Sequence, residues 1–294
     1  MKERILITGA TGKMGRELVR RLDGRQARFV AASHDASVFD PEVRHRQVDL
    51  GVRSLVEEVM KETDILFLNL PISESMLVYA QNAIIAAKNS AVRFVVFNSI
   101  LGADADSQFL LHRMYGQIEE MVRDSRLPLA VIRPNHFMQS FVSRHADSIR
   151  QGALFLPEGE SKSSYVDVRD VVDVALKVVE NPWLYENRVI NLTGPEALSL
   201  EEILGKVSKV AGYQVRYVPV TEEAAKHGLL RDGHSVWMAE AFLSTHRAAR
   251  EGMTAWIHPC NHEVRGVAPR NFDGFCSEMG TSLFHPYSLR QASL

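Results

Sequence analysis

The segment Thr8-Gly9-Ala10-Thr11-Gly12-Lys13-Met14-Gly15 follows the apolar run Ile5-Leu6-Ile7 and opens an amphipathic helical pattern. A strand, a glycine-rich turn and a helix, in this order, form the pyrophosphate cradle of dinucleotide-binding proteins. Gly9 permits the tight turn, Gly12 lets the backbone approach the phosphates, and Gly15 lets the helix pack closely on the strand. The amide groups of the first helical turn then face the anion. The segment therefore predicts a nucleotide-cofactor site.

Apolar, β-rich runs alternate with helical patterns through the first half of the chain. This alternation predicts βαβ units and a doubly wound parallel sheet, an α/β fold of the Rossmann type. Strands are predicted at Arg4–Thr8, Arg28–Ser33, Arg46–Val48, Asp64–Leu70, Val92–Ser99 and Leu129–Arg133. Helices are predicted at Lys13–Leu22, Val52–Glu62, Ser75–Lys88, Gln108–Arg123 and Phe137–Arg150.

From Gln151 onward the pattern changes to short extended segments, proline turns and isolated helices. We therefore expect a dinucleotide-binding Rossmann domain over residues 1–150 and a smaller C-terminal α/β substrate lobe over residues 151–294. The two are expected to be partly interleaved, because Val189–Leu192 predicts a late strand that rejoins the main sheet. A helix is predicted over Val168–Glu180. A second is predicted over Ser199–Ala211, where Ser199 begins a capping box.

Composition narrows the class of protein. With 294 residues and a hydrophobic content of 46%, the chain is long enough for one large or two modest cores. A net charge of -2 gives no global attraction to nucleic acid or to an anionic membrane, so neither is expected as a partner. Two cysteines fit a reducing compartment. The first strand follows Met1 so closely that no signal peptide is expected, and no apolar run has the length of a membrane span. We expect a cytoplasmic protein.

Several further segments occur in the order typical of one known family. They are Val48-Asp49-Leu50, Asn98-Ser99, Val131-Ile132-Arg133-Pro134-Asn135-His136-Phe137-Met138, Tyr165-Val166-Asp167-Val168-Arg169-Asp170-Val171, Leu192-Thr193-Gly194-Pro195-Glu196-Ala197-Leu198 and Pro269-Arg270-Asn271-Phe272. Together with the glycine segment, they resemble the NmrA-like family of atypical short-chain dehydrogenase/reductases, from about Lys2 to Phe275. The resemblance implies an NAD(P)-binding Rossmann fold and an oxidoreductase activity.

The end of the second strand decides between NAD and NADP, since an acidic residue there binds the ribose hydroxyls of NAD. The chain has Ser33 and His34 at this point, with no acid at the strand tip. Ser33 and His34 can hydrogen-bond a 2′-phosphate, and Lys13 adds positive charge, although Asp35 opposes it. We therefore expect NADP(H) rather than NAD(H).

Other cofactor-binding residues are expected at the carboxyl ends of the strands. Besides the glycines, Thr11, Lys13 and Met14 belong to the phosphate loop. Asp49 either bonds the adenine edge or holds its own loop by capping the helix that follows. The fourth strand ends at Asn69, Leu70 and Pro71, which are expected to line the ribose. The sixth strand is followed by Asn135, His136 and Phe137, which are expected near the nicotinamide.

The catalytic pattern of the larger superfamily is incomplete in this chain. That pattern joins a serine on the fifth strand to Tyr-x-x-x-Lys on the next helix, where the lysine lowers the pKa of the phenol. Ser99 is present, but counting back from Glu119-Glu120 puts Leu111 in the tyrosine slot and Tyr115 in the lysine slot. His112 and Tyr115 share a helix face and are the remaining candidates for proton donation. Either could instead be an ordinary helix residue.

The absence of the Tyr-x-x-x-Lys pair also narrows the class of substrate. Without a strong acid, suitable acceptors are small hydrophobic or aromatic molecules such as quinones, conjugated enones or cationic aromatic systems, because their hydride adducts need little simultaneous protonation. Candidates for the substrate wall, each of which could equally be plain core, are Phe137, Met138, Phe141, Tyr165 and Trp237.

Three functions remain open from the sequence. The first is an NADPH-dependent reductase of such an acceptor. The second is a redox-sensing regulator that binds NAD(P) without catalysis and acts through a regulatory protein partner, a hypothesis motivated by Leu111. The third is an epimerase, dehydratase or cyclase that uses bound nicotinamide transiently. The sequence does not define the oligomeric state.

Two weaker patterns are interpreted structurally. Three possible metal ligands, His258, Cys260 and His262, lie close together in the sequence. A structural zinc site usually has four ligands, arranged as two pairs. No second pair of ligands is evident nearby, so no metal is expected. Asp167 and Asp170 lie where a strand meets a helix and are expected to form a cap and an ion-pair network.

Overall fold

A computed structural model describes residues 3–284 apart from 36, 38 and 40–42, with the backbone alone for 281–284. Within the predicted substrate lobe, residues 285–294 lie outside the described residues, as does Lys2 at the start of the family resemblance. The described strands, β1 to β11, are Ile5–Ile7, Phe29–Ser33, His45–Gln47, Ile65–Leu68, Phe94–Asn98, Leu129–Pro134, Ala153–Leu156, Lys162–Ser163, Val189–Leu192, Leu198–Ser199 and Arg216–Pro219. The described helices, α1 to α11, are Lys13–Asp23, Arg53–Met60, Met76–Lys88, Leu110–Asp124, Ala146–Arg150, Val168–Glu180, Leu200–Ala211, Glu222–Arg231, Val236–Arg250, Cys260–Arg265 and Phe272–Phe284.

The main sheet has seven strands in the order β3-β2-β1-β4-β5-β6-β9, and all of its pairings are parallel. The predicted doubly wound parallel sheet is confirmed, and so is the late strand, which pairs with β6 from Val131–Val189 to Pro134–Leu192. The chain moves outward from β1 to β3 and then crosses back to β4. In an open sheet, ligands bind at such a reversal, outside the carboxyl ends of the strands.

The central strands are buried on both faces. Every residue of β1, β4 and β5 is buried, which agrees with their nearly continuous apolar sequences. Helices on both sides of a parallel sheet produce this burial. The sheet therefore holds the loops at its carboxyl edge on a rigid base.

The chain divides into two compact units. Within the described residues, the first unit runs to Pro134 and also contains Val168–Leu192 and His258–Val267. The second contains Asn135–Asp167, Thr193–Ile257 and the chain from Ala268 onward. It stays a prediction that residues 1–150 bind the cofactor and residues 151–294 bind the substrate.

The second unit has its own apolar core, in which α7 packs against α11. The predicted helix over Ser199–Ala211 is confirmed, with the reciprocal Ser199–Glu202 capping box at its start and the left-handed Gly212 (φ +78°) at its end. Met138, Phe141 and Tyr165 are buried in this core, so they are core residues as well as wall candidates.

The predicted continuous helix over Phe137–Arg150 is wrong. Phe137 is extended and forms a parallel bridge with Val166, and the amide of Met138 donates to the Val166 carbonyl at 3.0 Å. Because these backbone groups pair across to another segment, the helix cannot start there. A short 3₁₀ turn at Met138–Ser140 and the five-residue α5 take its place.

Candidate functional site

The turn between β1 and α1 needs glycine at two positions. Gly9 has φ +57°, and a Cβ there would lie 2.6 Å from the carbonyl oxygen of Asn69. A Cβ on Gly15 would lie 2.3 Å from the carbonyl oxygen of Gly9. Contacts this short are forbidden to any side chain, and the left-handed conformation of Gly9 adds strain for other residues. Gly12 precedes the first residue of α1 and provides no side-chain cap, so the first helical turn keeps the open end that an anion requires.

Hydrogen bonds from three polar side chains, those of Thr8, Asn69 and Asn98, hold this turn in place. The Thr8 hydroxyl donates to the carbonyl of Asn69 and accepts from its amide, both at 2.9 Å. The Asn69 side chain donates to the Gly9 carbonyl at 3.1 Å and accepts from Asn98 at 2.9 Å. Asn69, expected to line the ribose, thus orients the glycine turn. Asn98 Oδ1 is buried and makes no hydrogen bond within the described residues. A cradle that any Cβ would fill, together with this acceptor, fits a dinucleotide.

The acidic residue nearest the end of β2 among the described residues, the exposed Asp35, is bonded within its own loop. The buried Ser33 hydroxyl donates to the Asp35 carbonyl at 2.5 Å. The Asp35 carboxylate accepts from the Ser37 hydroxyl at 2.6 Å and from its amide at 2.9 Å, and these bonds, the hydroxyl's first, hold the pKa of Asp35 below its usual value. His34 is exposed. The Asp35 carboxylate is therefore occupied by Ser37 within its own loop.

The remaining cofactor candidates of the first unit lie on two loops. Asp49 accepts from the Gly51 amide at 2.8 Å, so it holds its own loop. It does not cap α2, because that helix begins at Arg53 and its N-cap position is Val52. Leu70 is buried and Pro71 is exposed at the end of β4.

Ser99 is part of a buried ion-pair network. Its hydroxyl donates to Glu119 Oε1 at 2.7 Å, and both residues are 1% exposed. Arg133 binds both oxygens of Glu119 at 2.7 Å, and Arg123 adds a bond of 2.8 Å. The hydroxyl proton of Ser99 is thus committed to Glu119, and the geometry offers no support for its predicted role toward a substrate.

His112 and Tyr115 are both buried on α4, as is Leu111 in the tyrosine slot. The Tyr115 ring stacks on Phe97 with centroids 6.1 Å apart, and burial raises the pKa of its phenol to about 12. A phenol of this kind is a weak proton donor. The His112 ring contacts Phe109 edge-on at 5.8 Å. Their proposed part in catalysis stays a prediction.

Asn135 ties three segments of the second unit together. Its side-chain amide donates to the Ser164 hydroxyl and to the Thr254 carbonyl, both at 2.8 Å, and its oxygen accepts from the His136 amide at 2.9 Å. Ser164 in turn donates to the Trp256 carbonyl at 2.6 Å. The Asn135 side chain is therefore a structural clamp that sets the position of the next residue, His136. Phe137 and Trp237 are half-buried in this unit.

A titratable cluster in the second unit was not expected from the sequence. Glu158 is 3% exposed, and its Oε1 lies 2.7 Å from Nδ1 of His246. The half-buried ring of His136 lies 5.8 Å from the ring of Tyr165. Glu158 and His246 are 88 positions apart, and the Pro157-Glu158-Gly159 segment looks like a solvated turn. No spacing rule connects them, so only the fold reveals the pair.

Of the two aspartates expected to form a cap and an ion-pair network near the start of α6, Asp170 forms an ion pair. Asp170, which is fully buried, lies 3.0 Å from Arg265, and Asp173 pairs with Arg265 at 3.2 Å and with Arg21 at 2.6 Å. Asp167 accepts from Gln139 at 2.9 Å. Across the described part of the chain, no group of three or more His, Cys, Asp or Glu side chains is arranged to hold a metal ion. In the same residues, no helix is both long and apolar enough to cross a membrane.

The seven-stranded parallel sheet and the glycine turn define a dinucleotide-binding protein of the doubly wound class. The chain belongs to the NmrA-like family, whose model matches residues 1–275. It is 31% identical over 277 residues to the NAD(P)H azoreductase of Xenophilus azovorans, an alignment that covers 92% of this chain and 96% of that protein.

Two further proteins are similar over most of their length. The chain is 30% identical over 280 residues to a (4-alkanoyl-5-oxo-2,5-dihydrofuran-3-yl)methyl phosphate reductase of Streptomyces griseus, covering 93% of this chain and 97% of that protein. The crystal structure of an Escherichia coli NADPH-dependent quinone oxidoreductase in complex with NADPH matches with a TM-score of 0.82 at 21% identity, over 94% of this chain and 99% of that one. At this identity, the structural match supports the fold alone.

Proposed function

We propose that this protein is an NAD(P)H-dependent reductase that transfers hydride to a small aromatic or conjugated acceptor, such as a quinone, an azo compound or an enone. The observation that carries the proposal is the glycine turn, locked by Thr8, Asn69 and Asn98 at the point where the strand order reverses. The similarity to an azoreductase over almost the whole of both chains supports the same chemistry.

The chain's own residues provide binding and orientation. The first turn of α1 binds the pyrophosphate through its amides, with Thr11, Lys13 and Met14 around it. Asp49, Leu70 and Pro71 lie on loops that flank the adenosine half, and Asn69 fixes the turn. When bound, the nicotinamide supplies the hydride.

NADPH is the proposed cofactor. In support, neither Ser33 nor His34 is an acid, and the carboxylate of Asp35 accepts two bonds from Ser37. The name of the Xenophilus relative covers both NADH and NADPH, so the preference is to be measured.

The test is to mix the purified protein with NADPH or NADH and a panel of quinones, azo dyes and enones, and to follow cofactor oxidation at 340 nm. We expect turnover of at least one acceptor class, with a higher kcat/KM for NADPH. The Gly15→Ala variant, in which the added Cβ would collide with Gly9, is the control for a reaction that depends on the cofactor site. Cofactor binding without turnover of any acceptor would contradict the proposal.

That contrary result would favour the second function, a regulator that binds NAD(P) without catalysis. The buried Leu111 in the slot of the catalytic tyrosine is the observation that supports this alternative. A regulator must bind oxidised and reduced cofactor with different affinity, so equal dissociation constants would exclude it.

A further inference from the structure

A groove with a volume of about 490 Å³ lies at the amino ends of the first strands of the main sheet. Arg4, Arg28, Arg44 and Thr63 line it, and they lead into β1, β2, β3 and β4. The glycine turn follows the other, carboxyl end of β1, and none of its residues lines the groove. The described residues that do line it all belong to the first unit. Pockets for small molecules have volumes of about 300–1,000 Å³, so the groove has room for a ligand of its own.

Part of the wall of the groove is apolar. Val30 is only half-buried, although it lies inside β2 between the buried Phe29 and Ala31. Leu55 and Val59 of α2 also line the groove, and Leu55 is 42% exposed. The interior residues of parallel strands are normally covered on both faces. The apolar surface of β2 and α2 that remains here gains free energy when apolar ligand atoms replace the water against it.

The groove is also positively charged. Five cationic side chains line it, against the two carboxylates of Glu58 and Glu62. The cationic residues are Arg4, Arg28, Arg44, Arg46 and Lys61. The lining therefore has an excess of three positive charges, in a chain whose net charge is -2. A local field of this sign attracts anions.

The cations differ in how they are bound. Arg4 pairs with Asp64 at 3.4 Å and with Glu62 at 3.8 Å, and Arg44 lies 4.0 Å from Glu62. The side chains of Arg46 and Lys61 are exposed and make no ion pair or hydrogen bond within the described residues. Guanidinium and ammonium groups bind carboxylate, sulfonate and phosphate oxygens through charge-assisted hydrogen bonds. Arg46 and Lys61 are thus the cations that an incoming anion meets without displacing a carboxylate.

We propose that this groove binds a small organic anion, whose apolar body lies against Val30, Leu55 and Val59 and whose acidic group binds Arg46 and Lys61. An apolar wall alone favours neutral molecules, and cations alone favour inorganic ions. The combination favours a molecule that has both parts. The proposal goes beyond the reductase function and does not depend on it, because the groove and the glycine turn have no residue in common.

The experiment uses two fluorescent probes that differ by one charged group. The dye 8-anilinonaphthalene-1-sulfonate has an aromatic body and a sulfonate, whereas N-phenyl-1-naphthylamine has the same rings without the sulfonate. Each is titrated into the full chain, with and without saturating NADPH. We expect saturable binding of the anionic probe in both conditions with the same dissociation constant, because the groove lies outside the glycine turn.

Two substitutions test the charged part of the site. Arg46→Gln and Lys61→Gln should each weaken binding of the anionic probe about threefold, and the double variant about tenfold, since separate exposed charges contribute little and add. Binding of the neutral probe should stay within about twofold, because no charge of the probe is affected. Lys209→Gln, at an exposed position on α7 in the second unit, is the matched control and should leave both probes unchanged.

The apolar part and the salt dependence give independent readouts. Leu55→Gln, at an exposed position on α2, should weaken both probes, because it removes apolar surface that each of them covers. Raising the salt concentration from about 50 mM to about 500 mM should weaken the anionic probe about fivefold in the wild type and less than twofold in the double variant, since salt screens exposed charges. Thermal unfolding of each variant shows whether its fold is intact.

The contrary outcomes are distinct. Displacement of the anionic probe by NADPH would place the probe in the cofactor site and overturn the proposal. A folded double variant that binds the anionic probe as tightly as the wild type, or that loses both probes equally, would overturn it as well. A wild type that binds the anionic probe in the groove but does not bind NADPH would overturn the proposed cofactor site and leave the groove assigned.

Discussion

The hydroxyl of Ser99 donates to Glu119 at 2.7 Å, in a network that Arg133 closes with two further bonds to the same carboxylate. The serine therefore ties the end of β5 to α4. We expect Ser99→Ala to lower the free energy of unfolding by about 2 kcal/mol, because a buried hydrogen bond to a charged group is lost. Hydride transfer should stay within twofold of the wild-type rate. Urea unfolding and single-turnover kinetics measure the two effects.

Ser277→Ala is the matched control for that substitution, since Ser277 bonds a carbonyl of its own helix at an exposed position. Its unfolding free energy should change by less than about 0.5 kcal/mol. A Ser99→Ala variant of normal stability but greatly reduced rate would show that the serine acts on the reacting atoms after all.

The close contacts at Gly9 and Gly15 predict that a larger residue at either position weakens cofactor binding. Gly9→Ala and Gly15→Ala should each weaken NADPH binding at least about tenfold, because the added Cβ would lie within 2.6 Å and 2.3 Å of backbone oxygens and the turn must shift. Gly205→Ala on α7 has no atom within 4 Å of its Cβ, so it should bind NADPH normally and gain up to about 1 kcal/mol of stability. Fluorescence titration and thermal unfolding test this set; NADPH binding of normal strength by Gly15→Ala would place the cofactor elsewhere.

A substitution in the loop after β2, at His34, is predicted to change the preference between NADPH and NADH. His34→Glu puts a carboxylate at an exposed position next to Ser33, where it repels a 2′-phosphate and accepts bonds from ribose hydroxyls. We expect the ratio of kcat/KM for NADPH over NADH to fall about tenfold, or roughly 1.4 kcal/mol. His34→Gln, which lacks the charge, should change the ratio much less. An unchanged ratio in both variants would remove this loop from the cofactor site.

Tyr115 is predicted to be dispensable for proton transfer. Burial raises the pKa of its phenol to about 12, so the hydroxyl is a poorer acid than an ordinary tyrosine between pH 5 and 9. Tyr115→Phe keeps the ring that stacks on Phe97, and its quinone rate should stay within about twofold of the wild type at every pH in that range. A rate loss of tenfold or more would assign the phenol a direct role.

The buried pair of Asp170 and Arg265 is predicted to stabilise the first unit. Asp170→Asn leaves Arg265, whose side chain is 5% exposed, without the charge of its nearer partner, and this should cost about 3 kcal/mol in unfolding free energy. Asp147→Asn removes the partner of Arg150 at an exposed position and should cost less than about 1 kcal/mol. Equal losses in the two variants would contradict the assignment.

The doubly wound parallel sheet could be predicted because parallel βαβ units leave a local signature. All six predicted strands of the first half are present with slightly different ends, and five of them are largely apolar runs; the third, over His45–Gln47, is polar. The helix after Ser199 was equally predictable from its capping box and from Gly212. These signals depend on neighbouring residues alone.

Structural features that depend on residues far apart in the chain could not be predicted from the sequence. The backbone of Phe137 pairs with Val166, which overrides the helical pattern of the segment that follows. Helix α8 buries no residue, so it has no apolar stripe to mark it. Ser99 looked catalytic because of its place in the sequence, and its bond to Glu119, twenty positions away, became visible only in the fold.

The first unit ends late in the chain. Its last stretch, His258–Val267, contains α10, which packs on α6 and β9 and carries Arg265 to Asp170. During synthesis on a ribosome, the sheet therefore gains its outer strand only after Leu192 has emerged, and the buried Asp170 meets its cation only after Arg265 has. While most of the second unit is being made, the first unit therefore lacks α10 and the cation of Asp170.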